Sequence, residues 1–259
     1  MRSIGMSDIG IRYANLVVLA PPEKSEEGMD LIRYGGPIYW TVILISIRYY
    51  LVELLGCPPI DLGILLDSSG SLNLPGYDNE GSIETFVKEL VGNFDINPGI
   101  NGTHVGIVQF DSSAKLRYKF TQPQTPAAVE AAIESYKIGD GSTMLNRGID
   151  MCDDELFQTS EGMRGPEYKK VLIIFTDGKQ TQLNERQPIN PKDNTQVLKD
   201  KNVTVFSIGA GTPDPIELYE MSSGYPFVGR LDLRDPAKAV PPIINQLCKV
   251  EVTVSLELC

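Results

Sequence analysis

Apolar residues in this chain gather into short continuous runs, and between them lie longer stretches where apolar positions recur every three or four residues. A short unbroken run bounded by turn formers reads as a buried strand, whereas three-four spacing reads as a helix with one face on a core. Asp61 to Asp67, His104 to Phe110, Lys115 to Phe120, Lys170 to Thr176, Val203 to Ile208 and Phe227 to Arg230 are of the first kind. The second kind comprises Glu80 to Phe94, Pro126 to Tyr136, Ser142 to Phe157, Pro191 to Lys201, Pro215 to Ser222 and Pro236 to Leu247. Ile83, Phe86, Val87, Leu90 and Val91 make the apolar face of the first of these helices. One link is of hairpin length, Asp111-Ser112-Ser113-Ala114. Elsewhere strands alternate with helices, which predicts a doubly wound α/β fold: a mostly parallel central sheet, one antiparallel edge strand, and helices on both faces.

The regular pattern begins near Cys57. Residues 1–56 read as an N-terminal extension, 57–249 as the domain, and 250–259 as a tail or the start of a further module. Within the extension, Pro37 to Ile47 is free of charge, but Arg48 and Glu53 break up the apolar residues beyond Ile47. Such charges are costly at mid-bilayer, so no membrane anchor is expected in this chain. The segment is readable as the apolar part of a secretory signal, as an amphipathic helix, or as sequence foreign to the domain.

Charge narrows the function classes. Lys and Arg number 23 against 34 Asp and Glu, a net charge of −11. Nucleic-acid binding rests on basic surface and is not expected. An acidic protein also repels acidic ligands at long range, so a carboxylate partner needs a cation between the two surfaces. The single histidine, His104, opens a strand; it excludes His-rich zinc sites and argues against a Ser-His-Asp triad. Four cysteines, Cys57, Cys152, Cys248 and Cys259, contain no Cys-x-x-Cys pair. Cys152 shares a helical face with Ile149 and Leu156, as a buried free thiol would.

The candidate chemistry lies at strand ends. Asp67-Ser68-Ser69-Gly70-Ser71 comes directly after the first apolar run, and the carboxyl edge of an open α/β sheet is where ligands bind. Gly139-Asp140-Gly141-Ser142-Thr143 precedes a helix, and Thr176-Asp177-Gly178 closes the strand from Lys170. The three pieces share one edge of a parallel sheet. They present only oxygen donors, which suit a hard divalent cation. Taken singly, Ser69 and Ser71 are also able to cap a following helix, and Asp177-Gly178 is an ordinary turn. Asp111 and Asp140 lie in loops that reach toward the same face.

Asp67-Ser68-Ser69-Gly70-Ser71, Thr143 and Phe175-Thr176-Asp177-Gly178, in that order, resemble the metal-ion-dependent adhesion site of von Willebrand factor type A domains, of the extracellular matrilin and collagen kind. Val105 to Phe110, Leu145 to Ile149 and Val205 to Gly209 add to the likeness. The resemblance implies a Rossmann-like scaffold that binds Mg²⁺ or Mn²⁺ through Ser69, Ser71 and Thr143, with Asp67 and Asp177 acting mostly through water. It implies no enzyme, but a secreted adhesion module whose partner presents Glu or Asp, a collagen or another matrix protein among the candidates. It also implies a disulfide between Cys57 and Cys248, and a ligation shift between Asp177 and Thr143 linked to the last helix. The sequons Asn101-Gly102-Thr103 and Asn202-Val203-Thr204 are glycosylation candidates in an extracellular setting.

Enzyme alternatives fail on named residues. A haloacid-dehalogenase-like phosphatase needs a second acid where Ser69 stands, no phosphate-binding Gly-x-x-x-x-Gly-Lys run occurs, and no Gly-x-Ser-x-Gly elbow is present. An intracellular type A domain acting as a scaffold in a multiprotein complex is the other reading, and a reduced Cys57 and Cys248 would mark it.

Overall fold

Strand β1, Ile60–Asp67, is buried along its whole length because it lies at the centre of a six-stranded sheet. The computed structural model describes residues 57–73, 78–183, 189–211 and 213–248. The expectations for residues 1–56 and 250–259 lie outside them. Strand β2 is His104–Phe110, β3 Ala114–Tyr118, β4 Lys169–Thr176, β5 Val203–Ala210 and β6 Val228–Leu231. Their order is β3-β2-β1-β4-β5-β6, every pairing parallel except β2 with β3. The mostly parallel sheet with one antiparallel edge strand is therefore as expected. Parallel strands put all their carboxyl ends on one edge, and Asp67 and Thr176 both stand there.

Helices cover both faces, which is why the inner strands are apolar without interruption. Ile60, Leu62, Ile64 and Leu66 of β1 point to a core shared with α1 (Asn79–Val91), α2 (Pro126–Glu134) and α6 (Val240–Leu247). Leu65 points the other way, to a core with α3 (Leu145–Met151), α4 (Pro191–Asp200) and α5 (Pro215–Met221). Helix starts obey local chemistry. Asp78 accepts from the Gly81 N–H, Thr125 precedes Pro126 and accepts from Ala128, and Asp214 accepts from Ile216.

Two expected helices are broken. The stretch from Ser142 to Phe157 begins only at Leu145 and passes at Cys152–Leu156 into a π-helical turn. That widening carries Leu156 and Phe157 onto Gly63 and Gly106, which face each other across β1 and β2. A Cβ on Gly63 would stand 2.8 Å from the Phe157 ring, so the two glycines form the notch that seats the turn. Pro236 to Leu247 divides into a 3₁₀ turn, Pro236–Ala239, and α6, because Pro241 and Pro242 donate no hydrogen bond to the preceding turn. The first helix ends at Val91 rather than Phe94, closed by Gly92.

The amino edge of the sheet is fastened by charge and by sulfur. Asp61, wholly buried, accepts from Arg164 Nε at 2.6 Å and from the Arg164 backbone N–H at 2.8 Å. The same guanidinium donates to the Gly102 and Ile60 carbonyls and lies 3.9 Å over the Tyr168 ring. Cys57 and Cys248 are joined in a disulfide with Cα atoms 4.7 Å apart. Cys152 is a buried free cysteine, its thiol pushed up by desolvation and held protonated. His104 sits opposite Asp61 in the register, far along β2 from the carboxyl edge.

Arg164→Ala removes the counter-charge of the buried Asp61 carboxylate and leaves it only the backbone N–H of residue 164. Loss of one member of a buried pair costs about 3–5 kcal/mol. The expected result is a melting temperature lower by roughly 10 °C in a calorimetric scan.

Candidate metal centre

At the carboxyl end of β1 the chain leaves the sheet through a loop built around Asp67. Its side chain has no solvent exposure. One carboxylate oxygen accepts from the Ser69 N–H at 2.8 Å and the other from Thr176 Oγ1 at 2.6 Å. The Asp67 carbonyl accepts from the buried Tyr136 hydroxyl at 2.6 Å. Burial pushes the Asp67 carboxyl up to about 6, against hydrogen bonds from Ser69 and Thr176 that lower it. The Tyr136 hydroxyl is pushed up by burial and stays protonated.

The hydroxyls expected from the sequence form a connected line. Thr143 Oγ1 bonds Ser69 Oγ at 3.1 Å, Ser69 Oγ bonds Ser71 Oγ at 3.0 Å, and Ser71 Oγ donates to Asp177 Oδ1 at 2.8 Å. Ser69, Thr143 and Asp177 are buried, while Ser71 is exposed and opens the group to solvent. All five predicted residues are thus brought together. Ser69 occupies the cap position of a 3₁₀ turn, Gly70–Leu72, but its side chain makes no capping bond. Asp78 caps the next helix, α1. The hydroxyls of Ser69 and Ser71 face each other and the acids instead.

Backbone bonds hold the three loops in place. The Ser68 N–H donates to the Phe110 carbonyl, Gly70 to Gly141, and Gly139 to Ser68. Asp111 spends a carboxylate oxygen on its own turn, through the Ser113 N–H, and its carbonyl receives the Met144 N–H. Asp140 contributes backbone beside Gly70, and its side chain is exposed.

The donor set is two carboxylates and three hydroxyls. Among the described residues no Lys, Arg or His side chain bonds Asp67 or Asp177, and no group of three His, Cys, Asp or Glu side chains is placed to hold a metal. Asp177 is also raised by burial, which outweighs the bond from Ser71. Two acids that lack a positive neighbour, ringed by neutral oxygens, fit a hard dication and fit zinc–thiolate or imidazole chemistry poorly. Thr176 and Tyr136 were not singled out in the sequence. Thr176 was visible only as the residue before Asp177, and Tyr136 belonged to a helical apolar pattern.

The family model for the von Willebrand factor type A domain matches residues 61–230. The collagen alpha-5(VI) chain of Mus musculus is 30% identical over 206 residues, which is 78% of this chain and 7% of that one. Matrilin-1 of Gallus gallus is 26% identical over 207 residues, 78% of this chain and 38% of its own length. This chain therefore spans a minor part of each of these relatives. Among solved structures, proximal thread matrix protein 1 from the mussel byssus, with a zinc-occupied MIDAS motif, superposes with a TM-score of 0.68 at 25% identity. The match covers 74% of this chain and 49% of that one.

The raised carboxyl sets a pH dependence. Folding moves Asp67 from 3.8 to about 6, so without a cation its ionisation removes stability as pH rises through that window. Cation binding needs the ionised form and runs the opposite way. Mn²⁺ affinity measured by calorimetry is expected to fall about tenfold between pH 7.5 and pH 5, and equal affinity at both would contradict the assignment of Asp67.

Proposed function

Since this chain belongs to the von Willebrand factor type A domain family, we propose that residues 57–249 form a metal-ion-dependent binding module of the extracellular matrix, docking an acidic side chain of a partner protein through Mg²⁺ or Mn²⁺. The observation that carries the reading is the convergence of Asp67, Ser69, Ser71, Thr143 and Asp177 into one oxygen-only group at the carboxyl edge of the sheet.

Each residue has a part that its surroundings suit. Ser69, Ser71 and Thr143 offer neutral oxygens for direct ligation. Both oxygens of Asp67 are engaged by Ser69 and Thr176, so its charge acts from behind the hydroxyls. Asp177 holds Ser71 in the same way. A bound dication supplies positive charge that neutral hydroxyls leave under-compensated, and that an incoming carboxylate completes. For a chain of net charge −11 this local reversal of sign gives an acidic partner a foothold.

The expected partner is a matrix protein that presents Glu or Asp, collagen among the candidates. A secreted setting is supported by the Cys57–Cys248 bond and by collagen and matrilin relatives. Asn101 and Asn202 are then glycan acceptors. Both are exposed, and they precede β2 and β5, at the edge of the sheet away from the acids.

Two outcomes are expected of the full chain made in a secretory host. Calorimetry should show one Mg²⁺ or Mn²⁺ site, and binding to immobilised collagens should be lost in chelator and in Asp67→Ala; binding that survives both would overturn the proposal. Peptide N-glycosidase treatment should lower the mass at Asn101 and Asn202, and unmodified asparagines in secreted material would remove them as acceptors.

A further inference from the structure

The segment after Asp177 is sewn to the start of α3. Thr143 lies two residues before that helix, and both of its backbone polar groups meet residue 181. Its N–H donates to Thr181 Oγ1 at 3.1 Å, and its carbonyl accepts from the Thr181 N–H at 2.8 Å. One residue into α3, the Asn146 N–H donates to Gln180 Oε1 at 2.9 Å. The cap position of α3 is held by Met144, whose side chain makes no capping bond. Gln180 therefore serves from another loop as the acceptor that a Ser or Asp ordinarily supplies.

Gln180 is itself held. It is 4% exposed. Its N–H donates to Glu217 Oε1 at 3.0 Å, and its amide donates to the Thr181 carbonyl at 2.8 Å. Residues 180 and 181 are thus bonded to α3 on one side and to α5 on the other.

We propose that Gln180 and Thr181 are positioning residues of the metal centre, which hold Thr143 against the segment that follows Asp177. For Thr143 to leave the segment that follows Asp177, the two bonds to Thr181 must break, and the bond between Asn146 and Gln180 must break or swing. Thr143 is consequently held in place in advance, with its Oγ1 already turned to Ser69. The part of this proposal that concerns a cation rests on the function proposed above; the mechanical coupling does not.

The test uses the full chain with Thr181→Val, which keeps the shape and removes the acceptor, and Thr181→Ser, which keeps the acceptor. In metal-free protein, hydrogen exchange should show the Thr143 amide protected, at least tenfold faster in Thr181→Val, and restored in Thr181→Ser. Mn²⁺ affinity should fall about 10–100-fold in Thr181→Val, as for loss of a group that orients a ligand, with Thr181→Ser close to the parent. A melting temperature that stays near the parent's in both variants separates positioning from general stability. Unchanged Mn²⁺ affinity in Thr181→Val, or a Thr143 amide that exchanges freely in the parent, would overturn the proposal. If the parent binds no Mn²⁺, the proposed function fails, and the exchange measurement alone decides the coupling.

Discussion

A carboxylate without any solvent exposure stands at the end of the most buried strand, and the upper edge of the molecule is organised around that fact. An ionised acid in such a place is tolerated only if its oxygens are hydrogen-bonded and its charge is answered. Asp67 has the first from Ser69 and Thr176. Among the described residues the second is missing: the neighbouring charge is another acid, Asp177, which raises Asp67 further. The polypeptide has brought together negative charge and neutral oxygen at this edge. The fold makes this possible at one address because parallel pairing of β1 and β4 carries Asp67 and Thr176–Asp177 to the same edge.

Much of this was legible along the chain. The runs at β1 and β4 are too apolar for anything but a doubly covered sheet, and an acid at the end of each is conspicuous against them. The five oxygen-bearing residues emerged from that placement and from a family likeness. What was not legible depends on contacts between distant residues. Nothing near Thr176 says that its hydroxyl bonds a residue 109 positions away. Nothing near Gln180 says that it caps a helix from outside. The helical spacing of Ile149, Cys152 and Leu156 is the same for an α-helix and for one that loosens into a π turn, so the break there is decided by Gly63 and Gly106. The prolines of α6 were visible, but apolar periodicity ran across them and concealed the restart at Val240.

The two edges of the sheet handle buried charge in opposite ways. At the amino edge, Asp61 is answered within the chain by Arg164, whose remaining donors are spent on the Gly102 and Ile60 carbonyls. That edge is electrostatically closed and structural. At the carboxyl edge, among the described residues, no cation side chain bonds Asp67 or Asp177, and the exposed Ser71 leaves a way in. One strand, β1, carries an acid at or near each end, and the difference in their company separates the anchored end of the domain from the end that offers a site.

The sulfur bridge adds something to this polarity. Cys57 and Cys248 are 191 positions apart in sequence, yet their Cα atoms lie 4.7 Å apart. Tension applied to the segments on either side of the bracket runs from one cysteine to the other through a covalent bond. It does not pass along β1 or α6, and the intervening polypeptide carries no load while that bond holds. Pulled by its flanks, such a bead keeps its own shape while the cord through it is stretched.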